Sequence, residues 1–357
     1  MSLPKLYFSY QGAFGPPTFG HYSAMKAFTD EILKQYDGLY DIHMMFMPTA
    51  ASGSKPHLEP SQEDRLNILN IFCDKLKAEF TSPNINFHAS NLEFELRKAG
   101  NMNSSTIFTI EALAESLNYK DGDILILGMG KDNMLQLPYW LRVNEYVTYV
   151  KSIYIVDREL SVEEMKNIAK FKVLGQMTDQ EFEKILPWSI DAFIINERFN
   201  IKDGLKEGKY EKGTDVTQIE IDYKNQLNIE LPNIFTLNKK IPATSSSMLR
   251  YFIGQYLENN NNENLVRIKN LIFGTKEITL EEENVVKNTI ELYKKIFNGN
   301  YPVDKNYLSV YNSLVFQKGG KRTYKGKRKS YRKRNTKKKC NKKKNPKNKL
   351  SKRNIKF

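Results

Sequence analysis

The sequence predicts an α/β fold in which a doubly wound, mostly parallel sheet is flanked by helices. Short apolar runs alternate with longer amphipathic segments along most of the 357 residues, as expected of repeated strand–helix units. A glycine- and proline-rich turn at 12–20 joins the first such unit, and turns of this kind lie at the ligand-binding edge of open α/β sheets. The clearest buried-strand pattern, at 123–128, is β-rich and ends in glycine.

The individual elements follow from the same patterns. Strands are predicted at 6–10, 41–47, 85–89, 123–128 and 153–156. Helices are predicted at 22–36, from about 60 to 76, and at 106–117 and 161–172. The polar segment 199–228 is predicted to be an insertion or a long hairpin. C-terminal helices are predicted at 246–258, 263–273, 279–297 and roughly 304–316.

Basic charge is concentrated at the C-terminus. Of the 55 Lys and Arg residues, 21 lie in 318–357, which contains no Asp or Glu. The other 317 residues hold 34 basic and 41 acidic side chains, so an acidic body precedes a basic tail. We therefore predict an α/β domain over 1–258, a helical extension over 259–317 and a disordered tail over 318–357. The tail could bind nucleic acid or another polyanion, direct targeting, or be an appendage without a role in activity.

Two cysteines, Cys73 and Cys340, provide neither a disulfide framework nor a metal site. No apolar run has the length needed to span a bilayer, and the first residues lack the pattern of a signal peptide. The expected location is intracellular, cytoplasmic or nuclear. The tail also has a composition similar to tails of proteins from large DNA viruses, which would place the chain in a host cell.

The turn from Gly12 to His21 is the strongest candidate for a functional site. Its glycines would let the backbone approach a phosphate closely, and the helix that follows would offer unpaired N–H groups to an anion. His21 adds a titratable donor in the first helical turn. The turn therefore predicts a phosphate-binding site at the end of the first strand.

Two further motifs stand at predicted strand or helix ends. Gly-Met-Gly-Lys-Asp at 128–132 is followed by Leu-Pro-Tyr-Trp at 137–140, and Thr-Ser-Ser-Ser-Met-Leu-Arg at 244–250 opens a helix. With the first turn, these motifs resemble those of the nicotinamide/nicotinate mononucleotide adenylyltransferases, a family of Rossmann-like nucleotidyltransferases. The resemblance covers about residues 5–255, and the segments 61–66 and 108–113 are more weakly similar to the family's patterns.

Three positions depart from the family's patterns. Thr18 stands where the first histidine of His-x-Gly-His is found, Thr244 replaces an apolar residue, and Ser247 replaces a threonine. A threonine hydroxyl can donate a hydrogen bond to a phosphate but supplies no charge, so the ionisable role in the turn falls to His21. These changes bear on substrate preference more than on the reaction.

The resemblance implies transfer of the adenylyl group of ATP to nicotinamide or nicotinate mononucleotide, with Mg²⁺ bound through the ATP phosphates and no dedicated protein metal ligands. It implies catalytic roles for His21, Thr18 and Arg250. It implies ATP or phosphate contacts from Gly12, Ala13, Phe14, Gly20, Gly128, Gly130, Asp132, Ser246 and Ser247. It implies mononucleotide contacts from Lys55, Thr109 and Trp140.

Other interpretations remain open at this stage. Asp132 could merely cap the following helix, Trp140 could be a core residue, and Lys55 could be an exposed loop residue. At the level of function, the chain could use another phosphorylated acceptor, or could be an inactive relative that binds polyanions through its tail. The choice between amide and acid mononucleotide and the oligomeric state are not readable from the sequence.

Overall fold

The computed structural model of the chain describes residues 2–50, 60–98, 106–130, 133, 147–156, 232–237, 239, 241–242, 244–302 and 307–314. All of them belong to Met1–Gly319, one of two units into which the chain divides. The elements predicted at 161–172 and 199–228, the tail at 318–357, and the site candidates Lys55, Asp132 and Trp140 lie outside the described residues.

The described strands form one six-stranded parallel sheet, which confirms the predicted fold class. They are β1 (Lys5–Gly12), β2 (Asp41–Pro48), β3 (Ile85–Ala89), β4 (Ile124–Gly130), β5 (Ser152–Val156) and β6 (Asn233–Leu237). The sheet order is β3-β2-β1-β4-β5-β6. This is the doubly wound arrangement, in which β2 and β3 are added on one side of β1 and β4 to β6 on the other, so the strand order reverses between β1 and β4. In such sheets, ligands bind beside the carboxyl ends of the two strands at that switch point.

Helices lie between and after these strands. They are α1 (Phe19–Tyr36), α2 (Gln62–Glu79), α3 (Leu92–Lys98), α4 (Thr106–Glu115), α5 (Ser246–Asn259), α6 (Asn262–Phe273), α7 (Leu280–Phe297) and α8 (Tyr307–Ser313). Short 3₁₀ turns occur at Tyr119–Asp121 and Val147–Tyr149. The asparagine run between α5 and α6 works as a pair of caps, since Asn260 ends α5 in the left-handed conformation and the Asn261 side chain accepts from the Glu263 N–H.

The core forms where the alternating apolar residues of β1 face α1. Leu6, Phe8 and Tyr10 point to one side of the sheet and are buried. The Phe8 ring lies 5.0 Å from that of Phe28 on α1, centroid to centroid. This packing fixes α1, and with it the turn that precedes α1, over the switch point.

Gly128 is required by this same packing. A Cβ at position 128 would lie 2.5 Å from the Phe8 ring and 2.9 Å from the Phe28 ring, both closer than real contacts allow. Gly128 was predicted to contact the nucleotide, but the close approach that demands glycine there is made by core aromatic rings. Gly128 is thus placed to let β1, β4 and α1 pack together.

The C-terminal helices share this core. Phe273, at the end of α6, contacts Phe72 of α2 with ring centroids 6.2 Å apart. Lys75 of α2 forms an ion pair with Glu282 of α7. None of the described helices combines the length and the apolar composition that a bilayer crossing requires.

Candidate functional site

The turn after β1 and the start of α5 contact each other directly. The backbone N–H of Gly20 donates to Oγ1 of Thr244 at 2.7 Å, across 224 positions of sequence. The Ser246 hydroxyl donates to the Pro16 carbonyl, also at 2.7 Å, across 230 positions. The first and third motifs of the sequence are therefore parts of one site.

A chain of hydroxyl groups leads from this contact to His21. Thr244 Oγ1 donates to Thr18 Oγ1 at 3.1 Å, and Thr18 Oγ1 lies 3.0 Å from Nδ1 of His21. Thr244 and Thr18 are buried, with 2% and 0% of their surfaces exposed. The Thr18 hydroxyl, which was expected to contact a phosphate, is engaged between Thr244 and His21, and such a contact would require one of these bonds to break.

Backbone groups at the start of α1 orient the His21 ring. The Thr18 N–H donates to Nδ1 of His21 at 2.9 Å. Because a backbone N–H can only donate, Nδ1 is the acceptor and the neutral ring carries its proton on Nε2. The ring also lies edge-on to Phe14, with centroids 4.9 Å apart. Protonation of Nδ1 would break the bond from Thr18, so the geometry suits His21 to act as a neutral Nε2–H donor.

Glycine at position 20 is explained by the neighbouring motif. A Cβ there would lie 2.6 Å from Thr244 Oγ1 and 3.0 Å from the carbonyl oxygen of Pro242. At Gly12, by contrast, an added Cβ would meet only the Phe14 ring, at an ordinary 3.6 Å. Both glycines were predicted to allow close approach of a phosphate, whereas Gly20 is needed for the contact between the two turns.

Arg250 and two serines complete that contact. The Arg250 guanidinium, in a residue only 7% exposed, donates to the Gly15 carbonyl and, at 2.9 Å, to Ser247 Oγ. A guanidinium has five N–H donors, so these bonds leave donors for an anion. Ser247 accepts here and keeps its own hydroxyl proton to donate. The Ser246 hydroxyl proton is used on Pro16, so a phosphate contact from Ser246 would come from its backbone N–H.

The accessible residues of the site lie where the turn leaves β1 and where α5 begins. Gly12 is half-buried and Ala13 exposed where the turn leaves β1, and Ser245–Ser247 are half-buried at the start of α5. Ser245 caps α5 by accepting from the Met248 N–H at 3.1 Å. The first N–H groups of a helix have no intrahelical partner and carry partial positive charge, which favours an anion. The arrangement therefore suits an anion with several oxygen atoms.

The Phe14 side chain anchors the turn from the inside. Phe14 has a φ of 44°, a left-handed conformation that costs an L-residue roughly 1–2 kcal/mol. Its ring is 1% exposed and meets the rings of Tyr10 and Phe46 with centroids 5.5 and 6.0 Å away. Burial of an aromatic ring offsets the backbone cost, so the side chain holds the turn in shape.

Arg65 of α2 holds the turn from another side. Its Nη1 donates to the carbonyls of Ala13 at 2.8 Å and Thr49 at 2.9 Å. The residue is 4% exposed, and its guanidinium lies 5.0 Å from the centre of the Phe94 ring. A buried cation that binds two carbonyls fixes the path of both loops. In the sequence, Arg65 stood out only as a member of the weakly similar segment 61–66.

Thr109, expected to contact the mononucleotide, lies beside Glu93. Thr109 is 1% exposed, and Glu93, on α3, is 2% exposed and accepts from the Ala50 N–H at 3.0 Å. Burial raises the pKa of the Glu93 carboxyl to about 7, against the opposing effects of the Ala50 N–H, the Thr109 hydroxyl and the Arg65 charge. Glu93 is a buried acid near the turn that the sequence analysis did not single out.

This raised pKa predicts a pH-dependent stability. Between pH 4.5 and about 7 the folded protein keeps the Glu93 proton and the unfolded chain releases it, so stability falls as the pH rises through this range. The shift corresponds to roughly 3 kcal/mol in full. The Glu93→Gln side chain cannot ionise, so the variant does not lose this stability as the pH rises. The difference in unfolding free energy between Glu93→Gln and wild type should therefore shift in favour of the variant by up to about 3 kcal/mol between pH 5 and pH 8. Urea unfolding of both proteins at the two pH values measures this; parallel pH profiles would contradict the expectation.

Gly130 lies at the same edge of the sheet as the turn. In the register of the parallel strands, Gly128 of β4 is opposite Tyr10 of β1, and Gly130 is opposite Val156 of β5. The carboxyl ends of β1 and β4 are therefore side by side, with Gly12 ending one strand and Gly130 the other. This places the start of the second motif at the switch point.

Two other histidines interact with each other. Nδ1 of His43 lies 3.2 Å from Nε2 of His88, and Nε2 of His43 lies 3.2 Å from Asp41 Oδ2. Burial, His43 and Lys77 lower the pKa of His88. The pair lines a cleft of about 470 Å³ between the sheet and α3 and α4. In the part of the chain that the structure describes, no group of three or more His, Cys, Asp or Glu side chains is arranged to hold a metal ion.

The turn-to-turn contacts bring together most of the described site candidates: Gly12, Ala13, Phe14, Thr18, Gly20, His21, Ser246, Ser247 and Arg250. Thr244 joins them, although the sequence analysis treated it as a mild departure. The one feature of the sequence that could have indicated this role is the hydroxyl of Thr244, at a position where the family's pattern has an apolar residue.

Comparisons with known proteins give structural matches only. No family model matches the chain, and a search of curated proteins finds no match. Among solved structures, one match is a putative nicotinate-nucleotide adenylyltransferase from Vibrio parahaemolyticus, at 16% identity and a TM-score of 0.30, covering 46% of this chain and 79% of that one. Two others are the nicotinic acid mononucleotide adenylyltransferase of Plasmodium falciparum, complexed with APC or with NaAD. They have 14% identity, TM-scores of 0.32 and 0.29, and cover 56% and 63% of this chain and 98% and 97% of those. Likenesses at this level carry no argument about activity.

Proposed function

We propose that the chain transfers the adenylyl group of ATP to nicotinamide or nicotinate mononucleotide, releasing pyrophosphate. The observation that carries the proposal is the direct contact between the Gly12–His21 turn and the Thr244–Arg250 helix start at the switch point of a doubly wound sheet. Two helix N-termini and a backbone turn meet there, and a triphosphate has the charge and the row of oxygen atoms to contact all three.

The proposed reaction requires no covalent bond between the protein and a substrate. A phosphate oxygen of the mononucleotide attacks the α-phosphorus of ATP in line; the new P–O bond forms as the bond to the β-phosphate oxygen breaks, and pyrophosphate leaves. The attacking phosphate is already an anion near neutral pH, so no protein nucleophile is needed. Catalysis then consists of alignment and of stabilising charge on the transferring and leaving phosphates.

The contacts of the site divide this work between the two turns. Backbone N–H groups at 12–14 and Nε2–H of His21 would bind the α- and β-phosphates. The N–H groups that open α5, the Ser247 hydroxyl and the remaining donors of Arg250 would bind the β- and γ-phosphates. ATP would enter as its Mg²⁺ complex, and the ion would neutralise part of the phosphate charge.

The acceptor half of the proposal rests on the motif resemblance. Gly130 lies where the second motif begins, beside the end of β1, which supports a shared site for the two substrates. Asp132 and Trp140 follow it in sequence, and their proposed contacts are to the ATP ribose or adenine and to the pyridine ring. Lys55 is proposed to contact the mononucleotide phosphate. Thr109 would act near the pyridine substituent, together with Glu93 beside it.

The test is a direct assay. Purified protein is incubated with ATP, Mg²⁺ and either nicotinamide or nicotinate mononucleotide, and the products are separated by chromatography. We expect the corresponding dinucleotide and an equal amount of pyrophosphate from at least one of them. A folded protein that forms dinucleotide from neither would contradict the proposal, and the same reactions show which mononucleotide is preferred.

A further inference from the structure

We propose that the hydroxyls of Thr244 and Thr18 act as a relay that, together with the Thr18 N–H, reinforces the Nε2–H tautomer and the orientation of His21. This positioning role deepens the proposed function and rests on it for its effect on turnover. Thr244 lies just before α5 and His21 lies in the first turn of α1, so the relay makes the geometry of one turn depend on the other. Neither threonine need touch a substrate for the relay to work.

The direction of every hydrogen bond in the relay is set by its two ends. At one end the Gly20 N–H can only donate, so Thr244 Oγ1 accepts it at 2.7 Å, and the Thr244 hydroxyl proton is donated to Thr18 Oγ1 at 3.1 Å. At the other end the Thr18 N–H can only donate to His21 Nδ1, at 2.9 Å, so that nitrogen carries no proton.

The middle of the relay then has one consistent arrangement. Thr18 Oγ1 lies 3.0 Å from the unprotonated Nδ1 of His21, so its hydroxyl proton points to that nitrogen while its lone pair accepts from Thr244. Reversing the hydroxyls would set a lone pair of Thr18 against the lone pair of Nδ1. The neutral His21 proton is therefore held on Nε2, where it can serve as a phosphate donor.

Burial makes this arrangement costly to replace. Thr18 and Thr244 are almost entirely inaccessible, so water cannot substitute for a missing hydroxyl. Gly20 cannot carry a side chain because Thr244 Oγ1 would lie 2.6 Å from its Cβ. The residues of the relay therefore fit one another closely: a glycine at 20, a hydroxyl at 244 and a hydroxyl at 18.

The experiment compares Thr244→Val, which removes the hydroxyl, with Thr244→Ser, which keeps it. The first readout is nitrogen-15 NMR of histidine-labelled protein, in which two-bond couplings distinguish the two tautomers, with His21 assigned from a His21→Gln spectrum. We expect wild type and Thr244→Ser to show the Nε2–H tautomer at His21. In Thr244→Val the Thr18 N–H still favours that tautomer, so we expect the Nε2–H form to remain in the majority beside a detectable fraction of the Nδ1–H form. Thermal unfolding of each variant checks that it is folded.

The second readout is steady-state kinetics. Loss of one neutral hydrogen bond should lower kcat of Thr244→Val by about 2- to 10-fold, with KM for ATP nearly unchanged and with recovery in Thr244→Ser. A folded Thr244→Val with the wild-type His21 tautomer would overturn the proposal. If Thr244→Val does not fold, Thr18→Val against Thr18→Ser decides between the same outcomes. If wild type forms no dinucleotide, the proposed reaction fails, whereas the NMR comparison still decides whether the relay exists.

Discussion

Replacing His21 with alanine is expected to lower kcat by about 10²–10³-fold, the loss typical of removing one pre-organised donor to a developing negative charge. The Thr18 N–H already holds the ring with its proton on Nε2, so the donor needs no reorganisation during the reaction. Its bond to a phosphate should strengthen as charge builds on the leaving group. KM for ATP should therefore change much less than kcat.

His88→Ala is the matched control for this prediction. His88 is an exposed histidine that pairs with His43 on the neighbouring strand and takes no part in the hydrogen bonds between the two turns. Dinucleotide formation by both variants is followed under saturating and limiting ATP. If His21→Ala changed only KM, or if its kcat matched that of His88→Ala, His21 would have no role in the chemical step.

Gly20→Ala is expected to separate the two turns. The new methyl group would lie 2.6 Å from Thr244 Oγ1 and 3.0 Å from the Pro242 carbonyl oxygen. Rotation of the Thr244 side chain could move Oγ1 away, but only by breaking its bond from the Gly20 N–H, and it would not relieve the contact with the backbone oxygen of Pro242. Overpacking of this kind costs about 1–3 kcal/mol of folding stability. Because the site is made of the contact between the turns, ATP affinity should fall as well.

Gly12→Ala provides the comparison for stability. Its Cβ would meet only the Phe14 ring at 3.6 Å, so this variant should unfold at nearly the wild-type temperature. Gly20→Ala should unfold at a lower temperature, since roughly 1 kcal/mol shifts the midpoint by about 2–4 °C in a domain of 150–250 residues and by somewhat less in a larger one. Equal melting temperatures for the two variants would show that the turns are not packed together as described.

The fold class could be predicted because buried parallel strands are read directly from apolar runs. Ile85–Ala89 was predicted with the observed bounds, and β4 and β5 within two residues at each end. The elements that were missed have weak patterns: α3 has only seven residues, and β6 is an edge strand, Asn233–Leu237, with most of its side chains not buried. Helix α1 begins at Phe19, three residues before the predicted start, with Thr18 as its N-cap residue.

The motifs could suggest which segments share a site, whereas the hydrogen bonds between those segments could not be read from the sequence. The motifs indicated that Gly12–His21 and Thr244–Arg250 bind phosphates, and the structure brings them together. The sequence could not show that the Ser246 hydroxyl donates to Pro16 or that Thr18 is held by Thr244, since those partners are more than 200 positions away. A hydroxyl that looks free in a motif is used within the fold, and the assignment of donors to a ligand changes with it.

A crystal structure of the protein with Mg²⁺ and a non-hydrolysable ATP analogue tests the central claim most directly. We expect the triphosphate to contact the backbone N–H groups at 12–14 and those that open α5 at the same time, with Nε2 of His21 about 2.7–3.2 Å from a phosphate oxygen. A triphosphate that contacts only one of the two turns, or that lies in the cleft beside His43 and His88, would contradict the claim that these turns form a single phosphate site.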